Sequence, residues 1–365
     1  MKLKSLAVAV AVLAVLAVAA AWFNRTPPPP SADPRVGQPL ADPALAPKIA
    51  RLRVSDQGKT VELVRQPDST WRVPGYFDFP ADFSKVSGLV SDLTGAKIQR
   101  LVTTNPARIA RLGFADTKVE FLDAGGHALW AATLGRNADT GGRFVRFGGE
   151  AKAYLANLDS SIDAEPKDWA DSALTNLKAD DIAKVEVGFE GEPPVTVSRA
   201  KAGDPWTTPH APAGQQVSAD KISSLLNSLD SLRFTDTSDP KDPQAAAARQ
   251  HERTFRLTTF GGQTTTIALG RRPEEKKAAA KPAASQPKPS AATVDKAGAA
   301  APPTPAEETI PAGPVYAAVT PADAKSPLHA LMAKRAFQID DYIFTGLPQK
   351  PADLFEPAPA APPKK

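Results

Sequence analysis

Catalysis and metal binding need titratable or ligating side chains held close together, and in this chain such side chains are scattered. The four histidines, His127, His210, His251 and His329, lack the three- or four-residue spacing of a helical metal pair. There is no cysteine, which removes disulfides, thiolate zinc sites and thiol nucleophiles. Neither a Gly-x-Ser-x-Gly turn, a Walker loop nor a dinucleotide glycine pattern occurs. Asp180-Asp181 and Asp340-Asp341 could act as paired carboxylates, but each stands just before an apolar segment, where aspartate caps and turns the chain. The sequence therefore predicts no enzyme, no catalytic residue, no metal and no cofactor.

Recognition is a better prospect. Tyr76, Phe77, Phe79 and Phe83 crowd one turn and the start of the following helix. Aromatic residues in such a place suit docking to a protein partner. They equally suit covering the helix end and Trp71. Trp71 and Trp206 offer stacking platforms for a glycan, or core rings burying a large apolar area. Arg136, Arg143 and Arg146 offer a reader of an anionic headgroup or glycan, or the solvated face of an alternating strand.

The elements that position these residues occur twice. Ile49-Ala50-Arg51-Leu52-Arg53-Val54 reads like Ile182-Ala183-Lys184-Val185-Glu186-Val187, and Trp71 answers to Trp206. The ladder Val86, Leu89, Val90, Leu93 answers to Ile222, Leu225, Leu226, Leu229 at a constant offset (222 − 86 = 229 − 93 = 136). Leu134-Gly135-Arg136 answers to Leu269-Gly270-Arg271, and Tyr154 to Tyr316. Such self-similarity is the mark of a repeated structural unit. Alternating apolar residues over Leu52–Val54 and Val61–Leu63, with turn chemistry at Gln57-Gly58, predict strands. The 3.6-residue period of the ladder predicts a helix capped at Asp82 or Ser84 and stopped at Gly95. The expected fold is α+β: two tandem repeats of an antiparallel sheet with a packed helix, following an N-terminal membrane helix. Helices are also expected over Trp169–Leu177 and Leu328–Phe337, with Ile343-Phe344 as a closing strand.

Length and composition set the boundaries. The 365 residues leave room for two domains, and a net charge of +4 gives no nucleic-acid footprint. Lys2 and Lys4 precede an unbroken apolar run from Leu6 to Phe23, as long as one span requires. Ala19-Ala20-Ala21 could instead end a cleaved signal peptide, and both readings place the rest outside the cytoplasm. Residues 1–25 are thus anchor or signal, and the proline-rich 26–47 a stiff spacer. The first repeat is set at 48–180 and the second at 181–356. A Lys/Ala/Pro/Ser stretch, 273–314, is expected as a disordered insertion, and 357–365 as a disordered tail.

The order of Trp71-Arg72-Val73, the Pro80-Ala81-Asp82 helix start, Arg111-Leu112-Gly113-Phe114, the Leu-Gly-Arg hairpin, Arg143-Phe144-Val145-Arg146 and Ala153-Tyr154 resembles the domain of unknown function 4340 family. The likeness runs over Ile49–Ile182, and the second repeat has no counterpart of the Leu112-Gly113-Phe114 turn. It implies a bacterial envelope protein held in the inner membrane by one span, with most of the chain periplasmic. It further implies a non-enzymatic accessory subunit beside an ABC transporter of the gliding-motility type, with a permease or auxiliary subunit as partner. The alternative is a stand-alone periplasmic glycan- or peptide-binding protein.

Overall fold

The computed structural model of the protein describes residues 33–114, 117–278 and 307–358. The expected membrane span, the start of the spacer, the middle of the insertion and most of the tail lie outside these residues. Among the described residues no helix is long and apolar enough to cross a membrane. The chain divides into two compact units between Asp171 and Ser172. Each is α+β, with antiparallel sheets and a few helices.

The first unit contains β1 (Arg51–Asp56), β2 (Lys59–Arg65), β3 (Trp71–Val73), β4 (Phe79–Pro80), helix α1 (Phe83–Gly95), β5 (Ile98–Thr103), the short α2 (Pro106–Ile109), β6 (Thr117–Leu122), β7 (Ala128–Asn137), β8 (Arg143–Phe147) and β9 (Ala153–Ala156). Its sheet runs β4-β3-β2-β1-β6-β7-β8-β9-β5. Gln57 and Gly58 take left-handed φ values of 48° and 78°, which closes β1 onto β2 in a two-residue hairpin. Asp82 caps α1 by accepting from the N–H groups of Ser84 (2.9 Å) and Lys85 (3.2 Å). The apolar ladder then faces the sheet: Val86, Leu89 and Leu93 are buried against Leu52, Val54, Val119 and Phe121, with Val90 at the margin. Full burial of such side chains contributes about 1.5–3 kcal/mol each. The opposite face is half covered. α2 and the turn after it lay Ile109 and Leu112 on Phe144, Ala153 and Leu155. The rest of that face is a charged lattice, in which Arg53 meets Glu62 (2.7 Å) and Glu120 (3.7 Å).

The second unit contains β10 (Ile182–Phe189), β11 (Glu192–Ser198), β12 (Gln215–Val217), α3 (Ala219–Asp230), β13 (Phe234–Ser238), α4 (Pro243–Ala248), β14 (Glu252–Thr259), β15 (Thr264–Arg271), β16 (Glu275–Ala278), β17 (Glu307–Ile310), β18 (Val315–Thr320), α5 (Pro327–Lys334), β19 (Ala336–Ile339), α6 (Asp341–Gly346) and β20 (Phe355–Pro357). Its main sheet runs β11-β10-β14-β15-β18-β19-β13. That is the order β2-β1-β6-β7-β8-β9-β5 of the first unit, strand for strand. α3 buries Ile222, Leu225, Leu226 and Leu229, as α1 does with its ladder. Trp71 follows β2 where Trp206 follows β11: Arg72 pairs with Val64, and Thr207 bridges Ser198.

Register corrects two of the sequence correspondences. Tyr154 pairs with Val145 and Leu101, whereas Phe337 pairs with Ala317 and Thr237, the same two places in the other sheet. The counterpart of Tyr154 is therefore Phe337, and Tyr316 stands where Phe144 does. The Leu112 turn also has a counterpart. A side chain on Gly135 would run into the carbonyl oxygen of Leu112, and one on Gly270 into that of Ala248. Ala248 lies at the helix-ladder offset from Leu112 (248 − 112 = 136). No shared residue type marks the two places, since both are backbone contacts.

Other expectations give way to tertiary pairing. Trp169–Leu177 is not helical: after a 3₁₀ turn at Pro166–Trp169, Ala170 bridges Ala81 and Ala173 bridges Arg233. Ile343 and Phe344 belong to α6, which Asp340 and Asp341 begin, and not to a strand. α5 ends at Lys334, and Ala336–Ile339 is strand β19. The described part of the spacer is packed down. Leu40 and Ala41 are buried in the first core, Trp130 Nε1 donates to the Leu40 carbonyl (3.0 Å), and Asp33 accepts from Lys152 (2.8 Å) and the Tyr154 hydroxyl (3.3 Å). The Lys152 hydrogen bond holds the Asp33 carboxyl below the usual carboxylate range. Residues 275–278 and 307–310, expected within a disordered insertion, pair as the ribbon β16–β17. Pro357, expected in the tail, pairs with Gln215 in β12.

Candidate functional site

The aromatic segment is built outward from β3. Tyr76 N–H donates to the Val73 carbonyl and Phe79 N–H to the Tyr76 carbonyl, both at 3.0 Å. Between them Phe77 and Asp78 are forced to left-handed φ values of 52° and 58°. A bulky residue in that conformation is strained and persists only where surrounding contacts hold it. The Asp78 carbonyl accepts from Arg72 Nη1 (3.4 Å). The rings form a graded stack: Tyr76 lies 4.9 Å from Phe79 and 5.3 Å from Phe77, centroid to centroid. Phe79 is 1% exposed and belongs to the core, which corrects its expected place among the docking residues. Tyr76 is half-buried against the core, while Phe77 (49%) and Phe83 (64%) face solvent. Phe83 is the first residue of α1, so its ring stands at the open end of the helix, before the buried ladder begins at Val86. The segment thus presents Phe77 on a base of Tyr76 and Phe79, with Phe83 exposed at the helix start that follows.

The other candidates separate in space. Trp71 and Trp206 are each 8% exposed, so both rings are core. Arg136 is exposed beside Asp139 (3.5 Å). Arg143 is half-buried, its Nε donating to the Gly135 carbonyl (2.8 Å) and its Nη1 to that of Ser160 (3.3 Å). Burial pushes its guanidinium pKa below the ordinary value. Arg146 lies over the Phe114 ring (5.6 Å) and donates from Nη2 to the Glu150 carbonyl (3.3 Å). The three arginines therefore hold three different places. His127 sits at an exposed hairpin 3.3 Å from Asp123, and His251 Nδ1 lies 2.8 Å from Glu190. Among the described residues no group of three His, Cys, Asp or Glu side chains is placed to hold a metal ion. Ser55, Lys118 and Thr133, which line one cleft with Arg146, were invisible to the sequence. Only sheet register brings residues so far apart in the chain together.

The chain belongs to the family described as a domain of unknown function (DUF4340), whose model matches residues 71–251. The match starts at Trp71 in β3 and ends at His251, after α4. It therefore takes in the helix of each unit and reaches well beyond the Ile49–Ile182 region on which the resemblance was drawn. No curated protein and no solved structure matches the chain.

Proposed function

We propose that the protein is a non-enzymatic, extracytoplasmic accessory subunit of an envelope ABC transport system, a duplicated module held at the inner membrane by its N-terminal apolar run. The observation that carries the reading is the strained aromatic turn: Phe77 is 49% exposed on a base of Tyr76 and Phe79, and Phe83, at the start of the following helix, is 64% exposed. Exposed aromatic rings on a pre-organised base suit hot spots of protein–protein interfaces. The shared strand order and the common helix offset support the duplication. The segment of the second unit between Trp206 and α3 has no aromatic residue, which makes the turn a specialisation of the first unit. The alternative, a free-standing glycan binder, loses its stacking platforms with the burial of Trp71 and Trp206.

The test is co-purification of the full chain with the permease of the ABC transporter it is proposed to serve. Replacing Phe77 and Phe83 together by serine is expected to weaken capture at least tenfold with the thermal midpoint unchanged. Undiminished capture by a folded variant would remove the turn from the interface and the reading with it.

A further inference from the structure

The open face of the first sheet carries a row of four side chains in cross-strand register. Ser55 on β1 pairs with Lys118 on β6, Lys118 with Thr133 on β7, and Thr133 with Arg146 on β8. All four alternate with core residues and so project away from α1. They line one cleft of about 360 Å³, together with Phe114, Phe147, Gly148 and Gly149. Strands two apart lie about 10 Å apart, so the long Lys118 and Arg146 side chains can converge over Thr133 from either side. The cleft thus gathers two cations and two hydroxyls against an aromatic wall.

Two details set this row apart from an ordinary solvated face. Arg146 Nε is buried and has no acceptor among the described residues, although Nη2 is engaged by the Glu150 carbonyl. A buried donor left in that state costs about 1–3 kcal/mol. The second unit has the same row, reading Gly188, Thr254, Ala268 and Ala318. Its backbone is equivalent and both cations are gone, so the sheet does not need them to fold. Lys118 does meet Glu120 (2.7 Å), but that carboxylate also faces Arg53 (3.7 Å).

We infer that this row is a phosphate-recognition site, taking the phosphoryl group of a small ligand or a lipid headgroup. It lies apart from the aromatic turn and stands whether or not that turn docks a permease. Arg146 supplies a planar donor fork, Lys118 a movable point charge, and Ser55 and Thr133 neutral donors, a set matched to an oxyanion.

The probes are inorganic phosphate and dihexanoyl phosphatidylglycerol below its micellar concentration, each titrated calorimetrically into the full chain at fixed ionic strength. Saturable binding of either is expected, weakened at least tenfold by Arg146→Gln and by Lys118→Gln. Lys118 is exposed, so its variant reports on binding even if Arg146→Gln disturbs folding. Arg256→Gln on the second sheet is expected to leave binding unchanged. Binding of phosphate identifies a free anion as the ligand, and binding of the lipid alone identifies a headgroup. No saturable binding of either probe, or equal losses in Lys118→Gln and Arg256→Gln, would overturn the site.

Discussion

Two sheets of one strand order spend their polar residues differently. At the start of β6 the first unit buries Thr117, whose hydroxyl bonds to Asp56. The equivalent residue at the start of β14 is Arg253 (253 − 117 = 136), which is only 6% exposed. Its guanidinium donates to the carbonyls of Phe344 (2.6 Å), Leu347 (3.3 Å) and Pro348 (2.8 Å), and lies 3.8 Å over the Phe344 ring. A short hydroxyl ties the start of β6 to the end of its neighbour β1 within the sheet, while a long arginine fastens a segment some ninety residues away in sequence that lies outside the sheet. The same contrast holds on the α2/α4 face. Phe144 and Leu155 pack as hydrocarbon in the first unit. Tyr316 and Gln338, in the same places, are joined by a 3.2 Å hydrogen bond. The backbone frame tolerates either solution, and the residues that differ are the ones that attach each unit's own appendages.

The comparison can be broken most forcefully at Arg253. Its removal would strand carbonyls at the end of α6 in a buried place, where unsatisfied polar groups are costly. Burial already pushes the guanidinium down to about 10, so it remains charged at neutral pH and is held by those carbonyls. Arg253→Met is expected to destabilise by about 3 kcal/mol, and Thr117→Val by about 1 kcal/mol. Chemical denaturation of the full chain with separate probes in each unit would measure both. Equal losses would mean that Arg253 holds no appendage that Thr117 lacks.

A sharper test concerns the glycines. Gly135 approaches the Leu112 carbonyl as Gly270 approaches that of Ala248, and an added methyl would also crowd the Phe114 ring or Glu252 Cγ (2.8 Å). Gly135→Ala and Gly270→Ala are each expected to cost about 1–3 kcal/mol, the usual range for overpacking. If one is tolerated and the other is not, the two backbones are not equivalent there.

These glycines also mark the limit of what the sequence could tell. The helix ladders, the paired tryptophans and the β1/β10 alternation were legible because side-chain period alone sets them. The Leu112–Ala248 equivalence was not, because a carbonyl contact leaves no residue type behind. Tyr154 and Tyr316 misled for the opposite reason: identical residues fell on different strands, and only hydrogen-bond register separates β9 from β18. Trp169–Leu177 has apolar residues at helical spacing, yet edge bridges to Ala81 and Arg233 prevail over propensity. Composition drew attention to the four aromatic candidates as one group. It could not tell that Phe79 turns inward as a strand residue while Phe83 turns outward as the first residue of a helix.

The smallest expected effect lies in the charged lattice. Arg53 faces Glu120 across β1 and β6, whereas Glu186 faces Arg256 across β10 and β14, so the pair is the same with its signs exchanged. The first unit adds Glu62, opposite Arg53, where the second has Thr196 opposite Glu186. Hydrogen bonds from Arg53, then Arg51, hold the Glu62 carboxyl below its usual pKa. A depressed folded-state pKa means the stabilisation is complete above the unfolded value of about 4.3 and is lost as pH falls through the lower folded value. Glu62→Gln should therefore cost under about 1 kcal/mol at pH 7, since the group is partly solvated, and progressively less toward pH 3. Thr196→Val, which removes no titrating group, should show a smaller pH dependence. Urea denaturation of both variants at pH 7 and pH 3 reads the difference directly. A Glu62→Gln deficit that persists unchanged at pH 3 would assign the loss to packing, and the charge exchange between the two sheets would then carry no weight in their stability.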